Sequence, residues 1–203
     1  MERFRRPLLV CLAGILAAGM FAAGYLFRGR EARIRPAFHD MRVNRVPDLV
    51  SLVNPRDPEV RSLAKRLGTP ESAYAYVLGS IRYEPMVPGA SPGEIVRAGK
   101  GSCLGKAALL ASIYRAMGIP ASDVRLIVGN IALTDRLIDH AWIDLEYNGE
   151  CLQQDPSGLL GAFEFGQFRG TEFTRFFVQE ENFCFNDKGF AVISQLNRFR
   201  NGN

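Results

Sequence analysis

Lys100-Gly-Ser-Cys-Leu-Gly-Lys-Ala-Ala-Leu-Leu-Ala-Ser-Ile-Tyr-Arg-Ala-Met-Gly-Ile-Pro120 reads as one helix with both ends marked. Ser102 is suited to the N-cap, where its hydroxyl accepts from a first-turn N–H that has no acceptor inside the helix. Gly118 and Pro120 stop the helix at the other end. Between them Ala107, Ala108, Leu109, Leu110, Ala111, Ile113, Ala116 and Met117 leave little polar face, so the helix belongs inside a core. Its first residue, Cys103, breaks that pattern. At a helix N-terminus the aligned peptide dipoles and free N–H groups favour the thiolate, the reactive form of cysteine.

The 203 residues allow one domain of ordinary size plus a tail or anchor. Net charge is +4, but its location matters more than its size. Residues 1–66 hold 13 Lys/Arg against 6 Asp/Glu, while residues 67–203 hold 12 against 15. The globular part is therefore slightly acidic, which excludes a nucleic-acid-binding face. The four cysteines, at 11, 103, 151 and 184, form no CxxC pair. With only two histidines, His39 and His140, no structural zinc site is expected. There is no Gly-rich phosphate loop either, so no metal and no cofactor is expected.

Residues 7–27 run 21 positions without a charge, enough to cross a bilayer core as a helix. They read as an uncleaved N-terminal membrane anchor (1–28), with a cleaved signal peptide as the rival. Arginines flank both ends, so the positive-inside rule nearly cancels. A lone N-terminal segment usually serves export, and the domain is expected outside the cytoplasm, on the periplasmic side, or secreted if the segment is cleaved. Residues 29–56, bearing Pro36, Pro47 and Pro55, read as a juxtamembrane linker lying along the domain. The folded domain is expected over 57–203.

Asp57-Pro58-Glu59 and Thr69-Pro70-Glu71-Ser72 each open an amphipathic helix. Residues 83–93 read as a loop able to wall a groove beside Cys103, and Glu94 to Ala98 as a short helix. After Pro120 the apolar period changes to two, giving strands at Val124–Ala132 and Ile138–Tyr147. Asn148-Gly149 marks a hairpin into a third strand, Glu150–Gln154. Further strands are expected around Phe176–Phe185 and Phe190–Ile193, with Asn186-Asp187-Lys188-Gly189 turning between them. Cys151 and Cys184 lie on strands, and either a disulfide or two separate thiols fits the sequence.

Three residues then stand out: Cys103 at a helix start, His140 on a strand and Asp155 at the end of the next strand. A thiol nucleophile needs a base to take its proton, and the base needs an orienting partner. With 148 and 149 as the turn, residues whose numbers sum to 297 face one another. Trp142 then opposes Asp155, His140 opposes Ser157, and the Asp155 carboxylate is a diagonal neighbour of His140. Trp142, on the same expected face, is a candidate substrate-binding residue.

Gly101-Ser-Cys103 with its Ala-Leu-Leu helix, then Arg115-Ala-Met-Gly-Ile-Pro120, Asp139-His140-Ala141-Trp142 and Asp155-Pro156 together resemble the transglutaminase-like superfamily. That group includes transglutaminases, peptide:N-glycanases and bacterial transglutaminase-like cysteine proteases. The resemblance covers about residues 75–160. It implies an α+β, papain-like fold in which a helix carrying the cysteine packs on an antiparallel sheet. It also implies Cys103 as nucleophile, His140 as general base and acid, and Asp155 as the orienting carboxylate. Two departures stand out: Gly105 occupies a place where many members carry an acidic residue, and no tryptophan precedes Cys103. The oxyanion role then falls to the Cys103 backbone N–H, with Tyr83 next.

The function expected is a cysteine-dependent amide hydrolase or acyltransferase acting on protein or peptide amides through a thioacyl intermediate. The alternative is a non-catalytic scaffold domain at the membrane, anchored through residues 7–27. An activated thiolate separates the two, because it alkylates faster than an ordinary thiol at neutral pH.

Overall fold

The computed structural model describes residues 46–85, 90–133 and 136–193. The expected anchor at 7–27, His39, the middle of the 83–93 loop and the tail from 194 lie outside the described residues. Among those described, no helix is long and apolar enough to cross a membrane.

Helices α1 (Val46–Ser51), α2 (Pro58–Leu67) and α3 (Pro70–Ser80) lead into a two-residue strand, β1 (Arg82–Tyr83). Helix α4 (Pro92–Ala98) and strand β2 (Lys100–Gly101) follow, and then the central helix α5 (Cys103–Ala116). Beyond it run β3 (Val124–Leu133), β4 (Arg136–Tyr147), β5 (Glu150–Gln154), β6 (Phe168–Arg169), helix α6 (Glu172–Phe177), β7 (Val178–Phe185) and β8 (Phe190–Val192). Strands β3 to β8 form one antiparallel sheet in the order β6-β5-β4-β3-β7-β8. The fold is α+β with helices on an antiparallel sheet.

The helix starts are chemically specified. Asp57 accepts from the N–H groups of Glu59 and Val60, and Thr69 accepts from Ser72 at 3.2 Å. Ser91 and Glu94 exchange side-chain and backbone bonds in a full capping box. Ser102 accepts from the Gly105 N–H at 3.2 Å. Each cap satisfies a donor that the helix itself leaves bare and is worth about 1 kcal/mol.

The central helix is buried on nearly every side. Leu109, Leu110 and Ile113 have no exposed surface. They share a core with Val60, Leu63, Ala73 and Val77 of α2 and α3 and with Leu126, Val128, Ala141, Ile143 and Leu145 of the sheet. Each such aliphatic side chain contributes about 1.5–3 kcal/mol relative to leaving it in water. At the far end of α5, Arg115 Nε donates to Asp187 at 2.6 Å, and its guanidinium also reaches the Ile119 carbonyl. This pair ties the β7–β8 turn to the helix end. The opposite face of the sheet buries a second cluster of Ile127, Trp142, Phe168 and Phe173, as the period-two alternation of β3 and β4 requires.

Two expectations change. The domain begins before residue 57: α1 is helical, Val53 is buried, Leu49 and Leu52 pack on the core, and the Asn54 N–H donates to Ser112 Oγ at 2.9 Å. The apolar Leu49, Leu52 and Val53 anchor this stretch despite the prolines around it. Phe176 and Phe177, expected in a strand, close helix α6 instead. Cys151 and Cys184 are free thiols, on β5 and β7 with β4 and β3 between them. Three strand spacings amount to about 14 Å, beyond the Cα separation of about 7 Å that a disulfide tolerates.

The row of the sheet that includes His140 is irregular. Gly129 pairs with His140 on one side and Glu181 on the other, and the β3–β7 register shifts on both sides of the Gly129–Asn130 pair. A Cβ at Gly129 would collide with the Glu180 carbonyl oxygen and come within 3.0 Å of the Trp142 ring. Gly129→Ala is therefore expected to cost about 3 kcal/mol, the upper end for overpacking, read as a lower midpoint in urea unfolding. An unchanged midpoint would contradict the close approach.

Candidate active site

Cys103 is the first residue of α5 and is half-buried. Because it opens the helix, its N–H has no intrahelical acceptor and points outward with the dipole. The parallel pairing of Tyr83 with Gly101 and the bond from Glu84 N–H to the Gly101 carbonyl (3.0 Å) fix the segment just before it. Gly105 has a packing reason: a Cβ there would meet Ile95 Cδ1 of α4 at 3.1 Å. A side chain at this place would require Ile95 to give way by a few tenths of an ångström.

The hairpin forms as the sequence indicates. Asn148 and Gly149 both take positive φ, 54° and 80°, the signature of a type I′ turn. Ile143↔Gln154 through Tyr147↔Glu150 pair in the expected register. Strand β5 ends at Gln154, so Asp155 opposes no residue in the ladder; the chain turns out of the sheet there. Asp155 Oδ1 accepts the Ser157 N–H at 2.9 Å, and its Oδ2 lies 3.0 Å from His140 Nε2. Both side chains have no solvent exposure. The contact is a close ion pair rather than an in-line hydrogen bond, for neither His140 Nε2 nor Asp155 Oδ2 has an aligned partner.

Burial opposes a charge on His140 and is the largest single influence on it. The Asp155 carboxylate and the Cys103 sulfur together outweigh it and raise the imidazole to about 9. Cys103, His140 and Asp155 thus stand close enough to influence one another. Trp142 does not join them. It is wholly buried in the second cluster, 5.7 Å from the Phe173 ring centroid, and presents no surface to a substrate. The expected pairing of Trp142 with Asp155 does not form, because β5 stops one residue too early.

Three further residues close around this group. Burial raises the Tyr83 hydroxyl above its ordinary value, and negative charge at Cys103 and Asp155 raises it further. It therefore remains a donor near the thiol. Tyr74 donates to the Asp155 backbone carbonyl at 3.1 Å. Lys106, buried one turn beyond Cys103, donates to the carbonyls of Leu78 (3.3 Å) and Ser157 (3.2 Å). Lys106 was missed in the sequence, although a cation at the start of an otherwise mostly apolar helix was the available signal. Among the described residues no group of three His, Cys, Asp or Glu stands close enough to hold a metal ion. The surface groove of about 670 Å³ lined by Arg61, Lys65, Gly68 and Met117 lies at the other end of α5, about 20 Å along the helix from Cys103.

No curated protein matches the sequence. Among solved structures, Legionella pneumophila LapG is similar, with 17% identity, a TM-score of 0.47 and coverage of 75% of this chain and 81% of that one. Its calcium-bound form gives 18% identity, a TM-score of 0.46 and coverage of 71% and 74%. A candidate cysteine protease of Cytophaga hutchinsonii gives 16% identity and a TM-score of 0.45, covering 78% of this chain and 54% of that one. The family model of the Transglutaminase-like superfamily matches residues 59–153, from α2 through most of β5. Over that span the sequence is similar to the transglutaminase-like superfamily.

Proposed function

We propose that this protein is a cysteine-dependent amide hydrolase in which Cys103 is the nucleophile, His140 the proton carrier and Asp155 the residue that orients and charges the imidazole. One observation supports this above all. A buried imidazole, 3.0 Å from a buried carboxylate, is held in its protonated form beside a cysteine that opens a helix. A structural histidine in an apolar core is normally kept neutral, because burial disfavours its charge.

The reaction begins with the Cys103 thiolate attacking an amide carbonyl carbon. The oxygen takes up the negative charge and is met by the Cys103 N–H and the Tyr83 hydroxyl. The C–N bond breaks as the imidazolium of His140 gives its proton to the departing amine. A thioester on Cys103 remains. Water then attacks it with His140 as base, releasing the acid and restoring the thiolate. A lysine amine in place of water gives cross-linking, and a glutamine side chain as substrate gives deamidation. Hydrolysis is favoured because water needs no second binding site. Protein or peptide amides are the proposed substrate class, because a thiol nucleophile with an imidazole proton carrier suits amide acyl transfer.

The pH dependence follows from His140. Its charge is favoured by Asp155 and Cys103, with Lys106 and Tyr83 as the other titratable groups nearby. Turnover of a mixed peptide library, read by mass spectrometry, is expected to fall as pH rises through about 9, where the imidazolium is lost. Cys103→Ala is expected to abolish turnover and to remove the acyl adduct on the acid-quenched enzyme while leaving the melting curve unchanged. Turnover in that variant would exclude the mechanism.

We also infer a membrane-anchored protein, with residues 7–27 as the span and the domain on the periplasmic side, from the 21-residue uncharged run. Protease added to intact spheroplasts is expected to degrade the domain. Protection until lysis would place it in the cytoplasm.

A further inference from the structure

The reading of Cys103, His140 and Asp155 as one unit leaves a buried cation without a role. Lys106 is 1% exposed, on the helix that carries Cys103, and its ammonium donates to carbonyls from two other parts of the chain. One is Leu78, near the end of α3 and just before the strand that holds Tyr83. The other is Ser157, two residues past Asp155, whose own N–H is held by the Asp155 carboxylate. A lysine is almost never fully buried without a compensating purpose, and burying it disfavours its charge strongly. Burial lowers its pKa to about 8, and the Asp155 carboxylate is the influence that opposes this.

The geometry points to Lys106 as a positioning residue. By bonding Leu78 and Ser157 at once, it locks the turn at 155–157 to the catalytic helix, and so holds the Asp155 carboxylate against His140. The Asp155 turn has left the sheet and has no ladder bonds of its own past Gln154. Its tethers are the Tyr74 bond to the Asp155 carbonyl, the internal Ser157 bond and the Lys106 bond. Of these, Lys106 ties the turn to the thiol end of the helix, while Tyr114 of the same helix holds Gln154, just before the turn. The inference rests on the proposed catalytic reading, because it gives Asp155 something to position.

The test is the titration of His140 by NMR in the full chain, with His39→Gln used to assign the signal, since the chain has two histidines. The groups facing His140 are Asp155 and Cys103, and those facing Lys106 are Asp155 and the two carbonyls. Removing a cation near His140 would by charge alone favour the imidazolium and raise its midpoint. Losing the tether lets Asp155 drift and lowers it. The two roles therefore predict opposite signs.

In Lys106→Met the His140 midpoint is expected to fall from about 9 by about one unit, a tenfold weaker hold on the imidazole proton. Lys106→Gln, milder in shape and able to reach only one carbonyl, serves if the Met variant does not fold, with the same direction expected. Lys106→Arg, which keeps charge and several donors, is expected to restore most of the shift. A midpoint that stays or rises in the folded Met or Gln variant overturns the positioning role and leaves the catalytic reading standing. A wild-type midpoint near the ordinary value of about 6.5 overturns both.

Discussion

The site depends on one contact, the buried pairing of Asp155 with His140. Moving a carboxylate out of water costs several kcal/mol unless charge and donors meet it inside. Here the Ser157 N–H binds one oxygen, the imidazole stands 3.0 Å from the other, and the Lys106 ammonium lies behind the turn. In return the carboxylate keeps a proton on a ring that burial alone would leave neutral. The arrangement is electrostatic and alternates in sign from the Lys106 ammonium through the Asp155 carboxylate to the His140 ring. Its strength comes from dryness, because at low local dielectric each neighbour acts on the next with little screening.

Everything else serves to hold those charges in register. A two-residue turn with positive φ at Asn148 and Gly149 fixes which residue of β5 ends the ladder, and a slip by one would carry Asp155 to the wrong face. The apolar body of α5 is buried against β3 and β4, so the helix cannot slide and its first residue stays at the site. Gly105 lets Ile95 of α4 press against the first turn, and the β1–β2 pairing fixes the backbone on the other side. The Arg115–Asp187 pair secures the opposite end. A thiol on a helix end is mobile in principle; here both flanks of that end are clamped.

Much of this was legible in the sequence because it is local. The caps at Asp57, Thr69 and Ser102, the turn at 148–149 and the all-apolar α5 follow from residue chemistry within a few positions. So does the nearness of Asp155 to His140, since the hairpin turn brings the end of β5 back beside β4. Trp142 was misplaced for a long-range reason. Its alternation on β4 is regular and puts it in the second cluster with Phe168 and Phe173, elements that had not been located. Helix α6 was hidden because Glu172–Phe177 is too short for a helical period to outweigh its aromatic content. Lys106 escaped notice because its two acceptors are backbone carbonyls, Leu78 and Ser157, which no side-chain pattern reveals.

The most direct test compares the three thiols of the domain with one another. Cys151 is pushed up to about 12 by burial and the nearby Asp144 and Glu146, and burial also raises Cys184, so both serve as internal references for an unactivated thiol. Iodoacetamide alkylation at neutral pH, mapped by site with mass spectrometry, is expected to modify Cys103 far ahead of the other two. His140→Ala and Asp155→Asn should each remove most of that advantage. Alkylation of Cys103 at a rate untouched by either substitution would contradict a single Cys103–His140–Asp155 unit.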